Sequence, residues 1–341
     1  GGCCGDGSGR VTLSLRPYQR AAIEALYDYF SASSGNPLVV MPTGTGKSLC
    51  IAGFTREAIA AAHRHMGEVA WGTVALVIGV VTATIANLWL FAAGMIPAWA
   101  AAVALAVLTY ASYTPLHEAA HGNIHGRNER YRWVGELCGY LCAPMIMLPH
   151  SSHRLEHMNH HRYTNDPVRD PDFHISSMGN GPWAFLIAPF RLLWIHVTYI
   201  FRGHWQQRAS FGEKCRYIAE VSFSLGWRIA FLSQVPLLPG LAVIVIGYIA
   251  GAFFTVYWFA YRPHVPYDTV GRYADTCSLI VPRWLKPFEW IWLGQTLHSV
   301  HHAFPRVPFY RYHSLFCEVE AAMRAHGGKA IGIFTRVTVT L

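Results

Sequence analysis

The chain has 341 residues, of which 52% are hydrophobic, 14% aromatic and only 13% charged. Soluble globules carry about 25% charged residues, so an ordinary soluble enzyme is disfavoured and a membrane protein is expected. The net charge of +8 comes from Lys and Arg scattered between apolar runs rather than gathered in a stripe, which fits positively charged loops and not a nucleic-acid-binding face. Eight cysteines without a C-x-x-C pair read as reduced packing residues.

Residues 1–10 form a Gly-rich, Cys-containing leader expected to be disordered. Residues 11–65 read as a small strand-loop-helix unit. Leu13–Phe30 has helical periodicity, Pro37–Met41 is a short apolar strand, and a helix is predicted over Lys47–His63. Between strand and helix lies Pro42-Thr-Gly-Thr-Gly-Lys-Ser48, a loop of the type whose backbone N–H groups cradle phosphates. With Leu15-Arg-Pro-Tyr-Gln19 it resembles the opening of a superfamily 2 helicase. That resemblance implies nucleotide contacts at Gly44, Gly46, Lys47 and Ser48. The chain turns apolar about 20 residues later, so no acidic Walker-B pair or second lobe follows. Residues 11–65 are therefore read as a truncated helicase stub, vestigial in nucleotide binding and poorly ordered. No nucleic-acid partner is expected.

Val69–Phe91 and Gly94–Leu116 contain no charged residue. About 20 apolar residues cross a bilayer core, so these two segments are predicted to form a membrane hairpin. Residues 117–217 are polar, with two shorter apolar stretches, Leu137–Leu148 and Trp183–Phe201, read as interfacial or buried. A second hairpin is predicted from Ala219–Pro236, which contains Arg228, and Leu238–Tyr261. The expected fold is all-α: a multi-pass membrane protein with four main spans in two hairpins and a helical cap. Two hairpins return the chain to one face. Arg127, Arg130, Arg132, Arg154, Arg162, Arg169, Lys214, Arg216, Arg262, Arg272, Arg283 and Lys286 all fall on that face, and the two opposite turns carry none. The positive-inside rule makes it cytoplasmic.

The same face carries three histidine clusters: His117-Glu-Ala-Ala-His121, His157-Met-Asn-His160-His161 and His298-Ser-Val-His301-His302. Positions i, i+3 and i+4 share a helix face, so each cluster can aim its imidazoles at one point. Two H-x-x-H-H runs are far beyond chance in a chain with 19 histidines. Eight imidazoles exceed what one zinc takes and suit two iron ions. His264, in Tyr261-Arg-Pro-His-Val-Pro266, either joins them as a ninth ligand or is a loop histidine. His125 continues the face of the first cluster and reads as supporting or structural. Asp166, Asp170, Asp172 and Gln295 are candidates to hold the outer N–H of a ligand imidazole, or are turn and cap residues.

The three boxes around two hairpins resemble the fatty acid desaturase and hydroxylase superfamily. Within it, His157–Asp172, Tyr261–Pro266, Arg272–Thr276 and Leu293–His302 running into Pro305–Tyr312 look most like the β-carotene hydroxylase type. The resemblance covers roughly 66–328 and leaves 329–341 as a C-terminal tail. It implies two irons, O2 as co-substrate, and a lipid or carotenoid substrate that gains a double bond or hydroxyl group. It also implies electrons from a separate ferredoxin or b-type cytochrome, with no catalytic residues beyond the metal ligands. The first box departs from the family in reading His-Glu where His-Asp is common. His117-Glu-Ala-Ala-His121 is also H-E-x-x-H, the signature of zinc proteases, so an intramembrane zinc protease stands as the alternative.

Overall fold

A computed structural model describes residues 15–32, 47–198, 209–335 and 338–340. The leader 1–10, the predicted strand Pro37–Met41, Gly44 and Gly46 lie outside the described residues. Lys47 and Ser48 open a helix, and their side chains are likewise outside what is described.

The described chain is mostly helical. In order, α1 is Pro17–Ala32, α2 Lys47–Arg64, α3 Trp71–Ala92, α4 Ala98–His121, α5 Arg132–Ile146, α6 His150–Tyr163, α7 Pro182–Thr198, α8 Phe211–Leu232 and α9 Leu237–Thr255. The short α10, His298–Ala303, and α11, Tyr312–Ala325, complete the set. Uncharged apolar runs with no surface stripe become helices because the backbone must satisfy its own polar groups when neighbours and lipid offer none. Among the described residues, three helices are long and apolar enough to cross a membrane: Trp71–Ala92, Ala98–His121 and the continuous Leu237–His264.

The fourth predicted span differs. Residues 211–232 do form a helix, capped by Ser210 and Glu213 in a reciprocal capping box. It carries Glu213, Lys214, Arg216, Glu220 and Arg228 and falls short of a spanning composition. Arg228 is buried and donates to the carbonyls of Ser224 (2.6 Å) and Met145 (3.2 Å). It therefore satisfies the end of α5 instead of facing a carboxylate.

α9 lies directly on α4. A Cβ at Gly251 would come within 2.5 Å of the Ala106 carbonyl oxygen and 2.6 Å of Thr109 Cβ, so only glycine permits this approach of two apolar backbones. α4 ends where Gly122 turns left-handed (φ 70°) and the Asn123 N–H returns to the Glu118 carbonyl.

The expectation of an all-α fold needs correcting. Cys277–Ile280 (β1) pairs in parallel with Lys329–Gly332 (β2), and β2 pairs antiparallel with Thr338–Thr340 (β3). Segments of three or four residues are too short for a period-2 pattern to register. They become strands because Ile331 is buried against Cys277 and Leu279. The Arg262 guanidinium also donates to the carbonyls of Gly332 (2.7 Å) and Thr335 (2.8 Å). Part of the segment read as a tail is thus tied to the end of the Leu237–His264 helix.

Where it is described, the N-terminal segment packs against the helices near the third histidine cluster. Ala58, Ala61 and Ala62 give α2 a small-residue face that, with Ile23 of α1, is buried in one cluster with Val300 of α10 and Leu315 and Val319 of α11. Arg64 and His65 both reach Glu318.

Gly251→Val should overpack the α4–α9 contact and lower stability by about 1–3 kcal/mol. A thermal melt of the detergent-solubilised chain followed by size exclusion would read this, and an unchanged melting temperature would contradict the packing.

Candidate metal centre

Five elements converge at one end of the helical bundle. α4 delivers His117 and His121 on its last turn, and α6 presents His157, His160 and His161. α10 carries His298, His301 and His302. Beyond α9 the helix widens into a π turn over Val256–Tyr261, a form common at functional sites. A tight turn at Arg262–His264 then brings His264 to the same place. α4 and the Leu237–His264 helix both arrive by their C-terminal ends, whose partial negative charge favours a cation.

The imidazoles form two groups. His117, His121, His157, His161 and His301 have their nearest ligand nitrogens within 4.8 Å of one another, and so do His160, His264 and His302. His298 lies beside the second group, its Nε2 3.3 Å from that of His264. The groups meet where the rings of His161 and His302 stack at 4.2 Å.

The geometry inside the first group is informative. Nε2 of His157 is 2.8 Å from Nε2 of His121 and 3.1 Å from Nε2 of His161, which is 2.9 Å from Nε2 of His301. A metal bonded to imidazole at about 2.0–2.1 Å, as in zinc sites, sets neighbouring ligand nitrogens about 3 Å apart. Both nitrogens of His117, Nδ1 of His264 and Nε2 of His302 are buried with no hydrogen-bond partner among the described residues. The residues therefore fit bound metal ions.

The outer nitrogens are held. Asp170 Oδ1 lies 2.9 Å from Nδ1 of His160, and Gln295 Oε1 lies 2.7 Å from Nδ1 of His298. Oxygen acceptors there keep the proton on Nδ1 and leave Nε2 as an inward-facing lone pair. Tyr312 Oη shares a 2.8 Å hydrogen bond with Nδ1 of His301.

Electrostatics agree. Burial, reinforced by neighbouring imidazoles, holds His157, His161, His298, His301 and His302 well below the usual histidine pKa, so they stay in the neutral, ligating form. His160 is the exception: burial opposes its charge, but Asp170, with Asp172 and Asp275, outweighs it and pushes its pKa up to about 9, so a metal bound at Nε2 has to displace a proton.

Other candidates separate cleanly. Asp166 accepts from the backbone N–H groups of Val168 and Arg169 and pairs with the Arg169 side chain; it staples a turn and supports no histidine. Asp170, four residues on, reaches Nδ1 of His160, and Asp172 Oδ2 stands 3.8 Å from the same nitrogen. His125 belongs to neither group and packs against Gly122 and Gly135. Glu118 accepts from Thr73 Oγ1 (2.6 Å), the Phe309 N–H (2.7 Å) and Asn123 Nδ2 (3.4 Å), which pins its carboxylate to structure around α4. It is spent as a strut where a zinc protease would need a free base.

Two further residues reach the site: Tyr312, bonded to His301, and Asp275, whose Oδ1 is 4.0 Å from Nδ1 of His302. Neither sits at a helical spacing from a histidine, so only spatial proximity identifies them. An apolar cavity opens against one side of the site. His153, His157 and Asp172 form its polar end, and Leu148, Phe190, Tyr248, Phe253 and Phe259 are among its walls.

One of two family profiles spans all three histidine clusters. The profile of the family described as fatty acid desaturase matches residues 93–332, and that of the type III restriction enzyme res subunit matches residues 12–77. Beta-carotene 4-ketolase 3 of Haematococcus lacustris is 34% identical over 80 residues, 23% of this chain and 24% of the ketolase. An sn-1 oleoyl-lipid 12-desaturase of Picosynechococcus sp. is 28% identical over 229 residues, covering 63% of this chain and 52% of the desaturase. The enzyme of the same description from Anabaena variabilis is 27% identical over 212 residues, 60% of this chain and 51% of its own. The chain thus spans about a quarter of the ketolase and half of the desaturases it matches.

Bound metal in the purified chain should drop to half or less in His157→Ala and in His302→Ala, while His125→Ala retains it. Asp170→Asn should weaken metal affinity about 10–100-fold. Elemental analysis of each variant checks both statements, and equal metal in all of them would refute the assignment of the two groups.

Proposed function

The chain belongs to the fatty acid desaturase family, and on that premise we propose that it is an O2-dependent, membrane-embedded di-iron oxidoreductase acting on a lipid or carotenoid. The carrying observation is the pair of buried imidazole groups at one end of an apolar cavity. We assign nine ligands: His117, His121, His157, His161 and His301 to one iron, and His160, His264, His298 and His302 to the other. Two irons bound there would supply reductive activation of O2 for attack on an unactivated C–H bond.

The chain's own residues do the rest. Phe190, Phe253 and Phe259 exclude water and hold an apolar substrate segment near His157. Asp170 and Gln295 fix the Nδ1 protons of His160 and His298, and Tyr312 orients His301. A second opening reaches His161 and His302 past Arg162, Arg169 and Arg272, and its basic rim suits an acidic electron-carrier protein of the ferredoxin or b-type cytochrome class. The product would carry a new double bond or a new oxygen.

In this reading α8 joins the three apolar helices as a fourth span, giving two hairpins with the histidines on the cytoplasmic side. Residues 66–328 form the enzymatic domain. Residues 11–65 are a helicase-like stub that serves as packing for α10 and α11. The zinc-protease reading is disfavoured by the bonds that hold Glu118.

Lipid and carotenoid profiling of a host expressing residues 1–341 would test this. A new product lacking two hydrogens, or carrying an added oxygen, is expected, and His301→Ala should abolish it. An unchanged profile, or a mutant that reproduces the wild-type one, would refute the proposal.

A further inference from the structure

The group of His160, His264 and His302 draws its ligands from three separate stretches of chain. His160 comes from α6, His264 from the turn beyond α9, and His302 from the short α10. Helical spacing fixes the distance between side chains only within one helix, and no two of these ligands share one. Bonds between the stretches have to hold the three in register.

Asn165 meets all three stretches. It lies two residues past the end of α6, is buried, and has a left-handed backbone (φ 64°), a conformation that asparagine tolerates better than most side chains. Its main-chain N–H donates to Asp170 Oδ2 (2.8 Å), and Oδ1 of the same carboxylate lies 2.9 Å from Nδ1 of His160. Its side-chain Nδ2 donates to the carbonyls of Thr269 (2.8 Å) and Asp275 (2.6 Å). Thr269 is five residues beyond His264. The loop it belongs to is fastened to α10, where Arg272 Nε donates to the Ala303 carbonyl next to His302 (2.7 Å). Thr164 reinforces the junction: its Oγ1 donates to the His160 carbonyl (2.8 Å) and stands 3.5 Å from Nδ1 of His302.

The chemistry of this link is particular to a side-chain amide. Two carbonyls converge on one nitrogen, and an NH2 group has two N–H bonds to give them. Asn165 Oδ1 is buried with no hydrogen-bond partner among the described residues, so the donors fix the orientation of the amide. A carboxylate of the same shape would set an oxygen against both carbonyls. Glycine would keep the left-handed backbone and the N–H to Asp170 and remove only the side-chain bonds. Asp170 and Asp275, which these bonds hold, face His160 and His302, both of the same group.

We infer that Asn165 is the positioning residue of this group: it holds the three ligand-bearing stretches in register and so sets the affinity of this metal site separately from the five-histidine one. The inference rests on the two-metal reading and assigns it a residue outside the ligand set.

Cobalt(II) titrated into the metal-free full chain in lipid nanodiscs, followed by its visible absorption, provides the test. Two binding phases are expected in the wild type. Asn165→Gly should weaken one of them about tenfold, and Asn165→Asp by more, within the about 10–100-fold effect of residues that orient metal ligands. The other phase and the thermal melt should not move. His160→Ala should remove the same phase, and adding Asn165→Gly to it should weaken binding no further. Should Asn165→Asp fail to fold, Asn165→Gly carries the comparison alone. Weakening of both phases alike, or of neither, would overturn the role of Asn165 and leave the metal reading standing. A wild type that takes up no cobalt would overturn the metal reading, and this inference with it.

Discussion

The crowding of buried imidazole nitrogens around common points is the constraint on which the rest of this site depends. Nitrogens of His121, His157, His161 and His301 stand 2.8–3.1 Å apart in sequence around one point. Burial keeps the rings of His157, His161 and His301 neutral, and a neutral imidazole has one N–H to offer. The hydrogen bonds outside the cluster, from Asp170, Gln295 and Tyr312, engage the opposite nitrogens of His160, His298 and His301. Ring nitrogens crowded to this spacing form an arrangement that a shared cation stabilises.

The surrounding architecture brings these groups together from distant parts of the chain. Gly251 lets α9 lie on α4, so two helix C-termini arrive side by side. Arg262 then ties the end of the Leu237–His264 helix to carbonyls at and beyond the end of β2, and so sets where His264 falls. Glu118, next to His117 in sequence, fastens α4 to α3 through Thr73 and to the loop before α11 through the Phe309 N–H. The acidic neighbour of the first box therefore acts on the ligand geometry through the backbone.

The N-terminal segment shows how a recognisable motif and a structural role can part company. Its phosphate-loop sequence matches a nucleic-acid enzyme family over residues 12–77. Its described helices bury an alanine face against the helices that carry and follow the third box. Small residues at i, i+3 and i+4 allow close approach whatever the ancestry of the helix.

Much of this was legible in the sequence. Uncharged runs of spanning length identified three helices because hydrocarbon forces the backbone to bond internally. The i, i+3, i+4 spacing placed the imidazoles of each box on one face because the α-helix repeats every 3.6 residues. Local spacing could not say which box completes which group, since the five-member group draws on α4, α6 and α10 while leaving out His160 and His302 of the same helices. Nor could it choose Asp170 over Asp166, admit His264, find Tyr312, or foresee that Cys277–Ile280 would pair with Lys329–Gly332. Each of those depends on where elements far apart in the chain come to rest against one another. Packing decides that, because the energy lies in contacts between segments and is absent from any one of them.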